Sequence, residues 1–359
     1  MALDHTGTIS PAELRLAARN HGLPLEALAY DVTPAGLHYL LTHYDIPVVD
    51  PASFRLRVGG LVGRELSLSL DELRARPAVT HVVTLECAGN GRTGLSPRPV
   101  GQPWVVEAVG TAEWTGTPLR GVLEEAGVVD GAIEVLFGGL DTGTEDGEIV
   151  RYERSLSPAD AHRDEVLLVY AMNGQPLLPQ HGAPLRLVVP GWYGMASVKW
   201  LDRITLIDYE FGGHHQRESY CLRQAPEDEG VPLSRMQPRS LLIPPGIPDS
   251  GSRERTLAAG PVTVRGRAWS GRGKIVRVEV SIDGGASWSD ARLAPAASDY
   301  AWRAWEWDWD AQPGEHELCC RAGDAAGNVQ PLEPTWNLGG YINNEVQRVP
   351  VTVVSQLDV

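Results

Sequence analysis

The sequence predicts an α+β protein in two domains, a mixed helix and strand domain followed by an antiparallel β-sandwich. Three observations predict it. Up to about residue 225, short capped helices alternate with apolar strand-like runs, without the regular βαβ period of a parallel sheet. Between 226 and 250 the chain is crowded with Pro226, Pro232, Pro238, Pro244, Pro245 and Pro248 among polar residues, the composition of a semi-rigid linker. Beyond it the pattern becomes period two. A length of 359 residues accommodates two cores, at roughly 100 to 200 residues per domain.

Each element has a local cause. Ser10-Pro11-Ala12-Glu13 combines an N-cap serine, a first-turn proline and a capping-box glutamate, and Gly22 supplies a stop. Ser69-Leu70-Asp71-Glu72 repeats the capping box before Pro77, and Thr117-Pro118 opens a third helix that closes near Gly127. Strands are expected over Phe54 to Val58, His81 to Leu85, Ile133 to Phe137, Val166 to Tyr170 and Leu185 to Val189. In the second domain Val276, Val278, Val280 and Ile282 share one face, and Asp283-Gly284-Gly285 makes the turn. Trp305, Trp307 and Trp309 alternate with acidic residues; this stripe is read as sandwich core rather than a sugar platform.

Composition excludes several classes. A net charge of −15 repels nucleic acid and anionic membranes, so neither is expected as a partner, and an anionic substrate requires a locally basic pocket. No run approaches 18 apolar residues and the start lacks a signal-peptide core, so a cytoplasmic location is expected, with the periplasm as the alternative. The four cysteines, Cys87, Cys221, Cys319 and Cys320, contain no C-x-x-C pair, which argues against structural zinc. Cys319 and Cys320 are read as packing residues, and His214-His215 as an exposed loop rather than a metal pair.

The most informative stretch is Leu85 to Arg92, LECAGNGR. It places Cys87 where an apolar strand gives way to a Gly-Asn-Gly turn, and chemistry commonly sits at such ends. A thiolate binds soft or high-valent metals once a nearby positive charge favours its deprotonated form, and Arg92 is five residues on. Gly89, Gly91 and Gly94 also spell G-x-G-x-x-G, but Pro97 and Pro99 stand where a phosphate-binding helix would begin. The dinucleotide reading is rejected.

Further blocks follow in order: Trp104, TAEW from Thr111, YAMNGQPL from Tyr170, HGAPLR from His181, VVPGWYGMASVKWL from Val188, and Trp336-Asn337 with Gly340-Tyr341. Together with LECAGNGR they resemble the sulfite oxidase family of molybdenum-cofactor oxidoreductases over roughly residues 35 to 350. The resemblance implies an extension over 1–34, a molybdopterin-binding catalytic domain over 35–225, the linker over 226–250, and an immunoglobulin-like domain mediating homodimerisation over 251–359. It implies molybdenum and molybdopterin as cofactor, with Cys87 as the metal's protein ligand. His43, Asp141, His181, Arg186, Ser197, Val198 and Lys199 match positions that hold the pterin and its phosphate. Tyr220 matches the active-site tyrosine, Arg92 a substrate-pocket arginine and Trp104 an aromatic wall.

Two departures bear on substrate. Leu41 stands where the family pattern has an arginine, in Leu41-Thr42-His43, and Gly339 stands where a second is expected after Trp336-Asn337. The resemblance implies oxidation of sulfite to sulfate with a separate electron acceptor, since no c-type haem motif is present. The departures keep open a sulfoxide, an N-oxide or nitrate on the same cofactor. A noncatalytic sandwich that binds a partner through its tryptophans is the reading from another class.

Overall fold

The computed structural model describes residues 9–357. The first domain is built on two sheets. One has the strand order Leu66–Ser69, Arg55–Gly60, Leu201–Ile207, Glu134–Glu145 and Glu148–Leu156, in which only Arg55–Gly60 and Leu201–Ile207 run parallel. The other is antiparallel throughout, with Val79–Glu86, Val109–Pro118, Leu167–Met172 and Gln175–Pro176 in order and Arg186–Val188 also paired to Leu167–Met172. Leu168 and Leu187 face the main core while Leu167, Val169 and Val188 face a second cluster with Trp114. Burial on both faces explains why these strands read as continuous apolar runs rather than alternations.

The expected helices form where the caps placed them. Pro11–Arg19 and Leu70–Arg74 each carry a complete capping box, and Leu119–Ala126 ends on left-handed Gly127. The first helix stops at Asn20 rather than Gly22, because Asn20 leaves the helix to accept the Thr42 amide at 2.7 Å and donate to Gln102 at 3.1 Å. Gly22 serves packing instead, since a Cβ there would lie 2.6 Å from Glu107 Cβ.

The second domain is a sandwich of two sheets. Arg239–Leu242, Gly260–Trp269, Arg303–Ala311 and Arg292–Leu293 form one, and a six-stranded sheet centred on Gln347–Val354, Gly314–Asp324 and Ile275–Ser281 forms the other. Trp305 and Trp309 lie in the core between them and half-buried Trp307 packs against it, as the core reading expects. Val276 does not join them. A register shift between Ile275 and Arg277 interrupts the alternation and leaves Val276 exposed, with Ile275 buried in its place. Cys319 and Cys320 are buried free thiols.

The segment 226–250 differs from a plain linker. All four residues of Arg239–Leu242 are buried in a strand paired with Gly260–Trp269. Its strand character was hidden because burial on both faces erases alternation, and because Arg239 is charged. That charge is satisfied across the domains. Arg239 Nη1 donates to Glu86 Oε1 at 3.1 Å and to the Asn343 carbonyl at 2.8 Å, while Trp269 Nε1 donates to Glu86 Oε2 at 2.8 Å. Glu86 closes the strand that delivers Cys87, so this ion pair joins the sandwich to that strand end.

Removing one member of a buried pair strands the other charge, at about 3–5 kcal/mol. Arg239→Met is therefore expected to destabilise the protein by that amount, and Arg239→Met with Glu86→Gln by clearly less, in urea unfolding. Equal losses in the single and double variants would show that the pair is not what holds this junction.

Candidate active site

Strand Val79–Glu86 ends one residue before Cys87, whose amide donates to the Ala108 carbonyl at 2.9 Å and whose carbonyl accepts from Asn90 at 3.0 Å. The turn closes through Gly91, which is left-handed at φ 87°, where a Cβ would meet the Asn343 carbonyl at 2.8 Å. Cys87 then lines a recessed cavity between the two sheets of the first domain. His43, Asp141, His181, Arg186, Ser197, Lys199 and Tyr220 line it too, so seven further residues singled out in the sequence converge with the cysteine.

The cavity is rich in cations that lack carboxylate partners. Buried Arg186 donates to the carbonyls of His181 (3.0 Å), Ser197 (3.1 Å) and Leu187 (3.4 Å), and its guanidinium lies over the Trp114 ring. Lys199 Nζ donates to the carbonyls of Leu41 at 2.7 Å and Gln180 at 3.1 Å. Burial pushes Lys199 down to about 7, with Arg186 adding repulsion, and pushes Arg186 down to about 10. Burial conversely pushes the Asp141 carboxyl up to about 6, and its Oδ1 is buried without a hydrogen-bond partner. Gly139 keeps the space beside it open, since a Cβ there would lie 2.6 Å from that oxygen.

These are the marks of a site shaped to receive a further polar group. Two buried cations facing only carbonyl dipoles suit an anion such as a phosphate, and an orphaned acceptor suits the N–H edge of a heterocycle. Among the described residues no three His, Cys, Asp or Glu side chains come together to hold a metal. A metal bound at Cys87 would therefore take its other ligands from a cofactor. The donor set fits a phosphorylated pterin carrying a metal.

Three predicted residues sit elsewhere. Trp104 is buried in a cluster with Cys87 and Ala108, against which Leu41 packs, but it does not line the cavity. Arg92 is outside it as well: Nη1 donates to the Gln102 carbonyl at 2.8 Å, Nε to the Gly339 carbonyl at 3.2 Å, and the guanidinium lies over Tyr341. It still favours the Cys87 thiolate electrostatically, against burial, which pushes that thiol up. The Val198 side chain is sealed in the core, and its carbonyl accepts from the Leu187 amide at 2.8 Å.

Tyr220 and His43 meet at 2.5 Å between the phenolic oxygen and Nε2. Burial keeps the phenol protonated and the imidazole neutral. His215 is not on an exposed loop as expected. It is buried against Tyr152 and within 3.1 Å of the Tyr44 hydroxyl, because Arg154 donates to its backbone carbonyl and holds the segment inward. The sequence reading missed His38, Tyr39 and Tyr152, which also line the cavity. His38 Nε2 is buried without a partner. A histidine in an otherwise apolar stretch, three residues before Leu41, was the available signal.

Comparison with known proteins agrees with this geometry. Residues 43–215 match the family model of the oxidoreductase molybdopterin binding domain, and residues 247–354 that of the Mo-co oxidoreductase dimerisation domain. Fold and site thus define a molybdopterin-dependent oxidoreductase, whose cofactor is molybdenum-molybdopterin. Sulfite oxidase of Gallus gallus is 41% identical over 358 residues, covering 90% of this chain and 74% of that protein. The chain belongs to the sulfite oxidase family. The mitochondrial sulfite oxidase of Mus musculus is 39% identical, and the match covers 90% of this chain but 62% of the mouse protein's length. Among solved structures, the sulfane dehydrogenase SoxCD from Paracoccus pantotrophus superposes with a TM-score of 0.79 at 29% identity, covering 95% of this chain and 85% of that one.

The buried histidines set an acid limit. Burial lowers His38 to about 4 and His181 and His215 to about 3, and drives His43 well below its usual value. Unfolding releases each into water, where it takes a proton below pH ~6.5. Stability is thus fully present above that pH and lost as pH falls toward 4, at about 1.4 kcal/mol per pH unit for each group. Asp141 opposes them, its penalty vanishing as pH falls through about 6, and Glu86, Glu153 and Glu345, whose carboxyls burial also raises, act in the same direction as Asp141. Urea midpoints of cofactor-free protein should drop between pH ~6.5 and ~4.5, and replacing buried His38 with Gln should make the drop shallower; an identical profile in that variant would contradict the burial of a neutral imidazole there.

Proposed function

We propose that the protein oxidises sulfite, SO3²⁻ + H2O → SO4²⁻ + 2 H⁺ + 2 e⁻, and passes both electrons to a separate acceptor. The observation that carries this reading is the 41% identity to a sulfite oxidase across 90% of the chain. It joins a cavity that ends on a buried cysteine.

When bound, the molybdenum cofactor supplies the oxygen atom and takes up the two electrons. Cys87 would hold the metal: the metal ion replaces the thiol proton, which reverses the effect of burial. Arg186, Lys199 and His181 would hold the phosphate, with Ser197 shaping the Arg186 contact through its carbonyl. Asp141 would accept from the pterin edge. Tyr220, kept protonated by burial, offers its hydroxyl as a donor toward a substrate oxygen, in exchange with His43. Arg92 acts as a fixed positive charge behind Cys87 that favours an anion at the cavity mouth. The domain over 247–354 would pair two copies into a homodimer.

A second reading rests on Leu41, which lines the cavity where the family pattern has an arginine. With Arg92 tied to two carbonyls, an oxyanion loses charge-assisted contacts worth roughly 1.5–3 kcal/mol each. A substrate less charged than sulfite, such as a sulfoxide, an N-oxide or nitrate, tolerates that loss better.

An anaerobic titration of the metal-loaded protein with sulfite separates the two, followed by the thiolate-to-metal absorption band. Bleaching at micromolar sulfite is expected; an unchanged band with sulfite that bleaches or recovers with another substrate would select the second reading. Cys87→Ser should lose the band altogether. Leu41→Arg should lower the KM for sulfite by about tenfold or more, from one added charge-assisted contact.

A further inference from the structure

A second recess lies between the domains, walled by the segment Gly22 to Glu26, the loop Val105 to Glu107 and the sandwich residues around Arg253, Arg255 and Val346 to Pro350. It shares no lining residue with the Cys87 cavity. Its distinguishing feature is Arg255, at the start of strand Arg255–Ala258 and only 6% exposed. Its Nε is buried without a hydrogen-bond partner, and no carboxylate among the described residues comes within ion-pair distance of its guanidinium.

A guanidinium carries five donors in a rigid fork, and withdrawing it from water is unfavourable unless acceptors replace the water. Every other arginine buried to this degree in the described chain has at least one acceptor: Arg92, Arg154, Arg186, Arg239 and Arg267 all donate to backbone carbonyls, although Nε of Arg154 and of Arg239 is unpartnered as well. Arg186 and Arg267 also reach recesses, but with their donors on backbone carbonyls; Arg255 faces its groove with no hydrogen bond to an acceptor among the described residues. Arg253 stands beside it, 58% exposed along its side chain and 3.9 Å from Glu26. The Glu107 carboxylate is engaged with the Val106 amide at 2.9 Å, and Arg348 is engaged with Glu317 and Glu333.

We propose that this groove binds a small tetrahedral oxyanion of the sulfate or phosphate class, held in the fork of Arg255 with Arg253 at its rim. The recess also carries the carboxylates of Glu26, Glu107 and Glu345, which favours a free anion over a carboxylate from a second copy, since a chain of net charge −15 would bring further acidic surface against them. Val105, the residue after Trp104 of the Cys87 cluster, forms part of the groove wall.

The test uses cofactor-loaded protein, so that the phosphate-binding cations of the cavity are already occupied. Isothermal titration with sulfate, and separately with phosphate, is run at constant ionic strength held by chloride. Sulfate, as the product of the proposed reaction, is also expected at the Cys87 cavity, so the groove is read as the saturable component that weakens tenfold or more in Arg255→Gln and several-fold in Arg253→Gln. Glu26→Gln, an exposed change, should tighten binding by removing a competing carboxylate. Unchanged affinity in all three variants overturns the proposal, as does Glu26→Gln weakening it. A sedimentation arm covers the other source: if Arg255→Gln dissociates an oligomer while leaving anion affinity intact, a partner chain completes the guanidinium and the free-anion site falls.

Discussion

The buried pair of Glu86 and Arg239 is the interaction on which the rest of the site depends. Glu86 is the last residue of the strand that presents Cys87, and Arg239 begins the first strand of the sandwich sheet. Asn90 donates to the same carboxylate at 3.0 Å and its own oxygen accepts the Ala108 amide at 3.1 Å, so one ion fixes both ends of the cysteine loop. Burial raises the Glu86 carboxyl while these donors pull it back. Such a pair contributes little net stability compared with an apolar replacement. Its value is positional, because only one arrangement of the two domains satisfies it.

The cavity shows the opposite electrostatic design. There the cations face carbonyls rather than carboxylates, and Asp141 has a buried oxygen with nothing to accept from. Each is unfavourable for the polypeptide alone and becomes favourable beside an anionic, N–H-bearing group. The binding energy of the cofactor is therefore partly the release of penalties already built into the folded chain. A preorganised site of this kind needs a rigid surround, which two sheets closed by Tyr152, Met195 and Tyr193 provide.

Local signals were legible in the sequence and long-range ones were not. The capping boxes at Ser10 and Ser69 act within four residues, and both helices formed. The cluster around Cys87 was legible because the motif blocks carry their order along the chain. Arg239 was not, since nothing near Pro238 announces a carboxylate 153 positions away. Val276 misled because a bulge moves every side chain before it to the opposite face. His215 misled because its burial comes from Arg154 and Tyr152, which belong to a different strand. Arg92 was placed on the right loop, but its direction is set by the Gly339 carbonyl, a residue of the other domain.

That last contact has a consequence for biosynthesis. A chain made from its N-terminus carries every cavity-lining residue long before it carries Gly339, Tyr341 and Asn343, which orient Arg92 and brace the turn after Cys87. Until the chain has been made past Asn343, the cysteine loop lacks its final support. A braced cysteine loop thus exists only once the second half of the chain has docked onto its first.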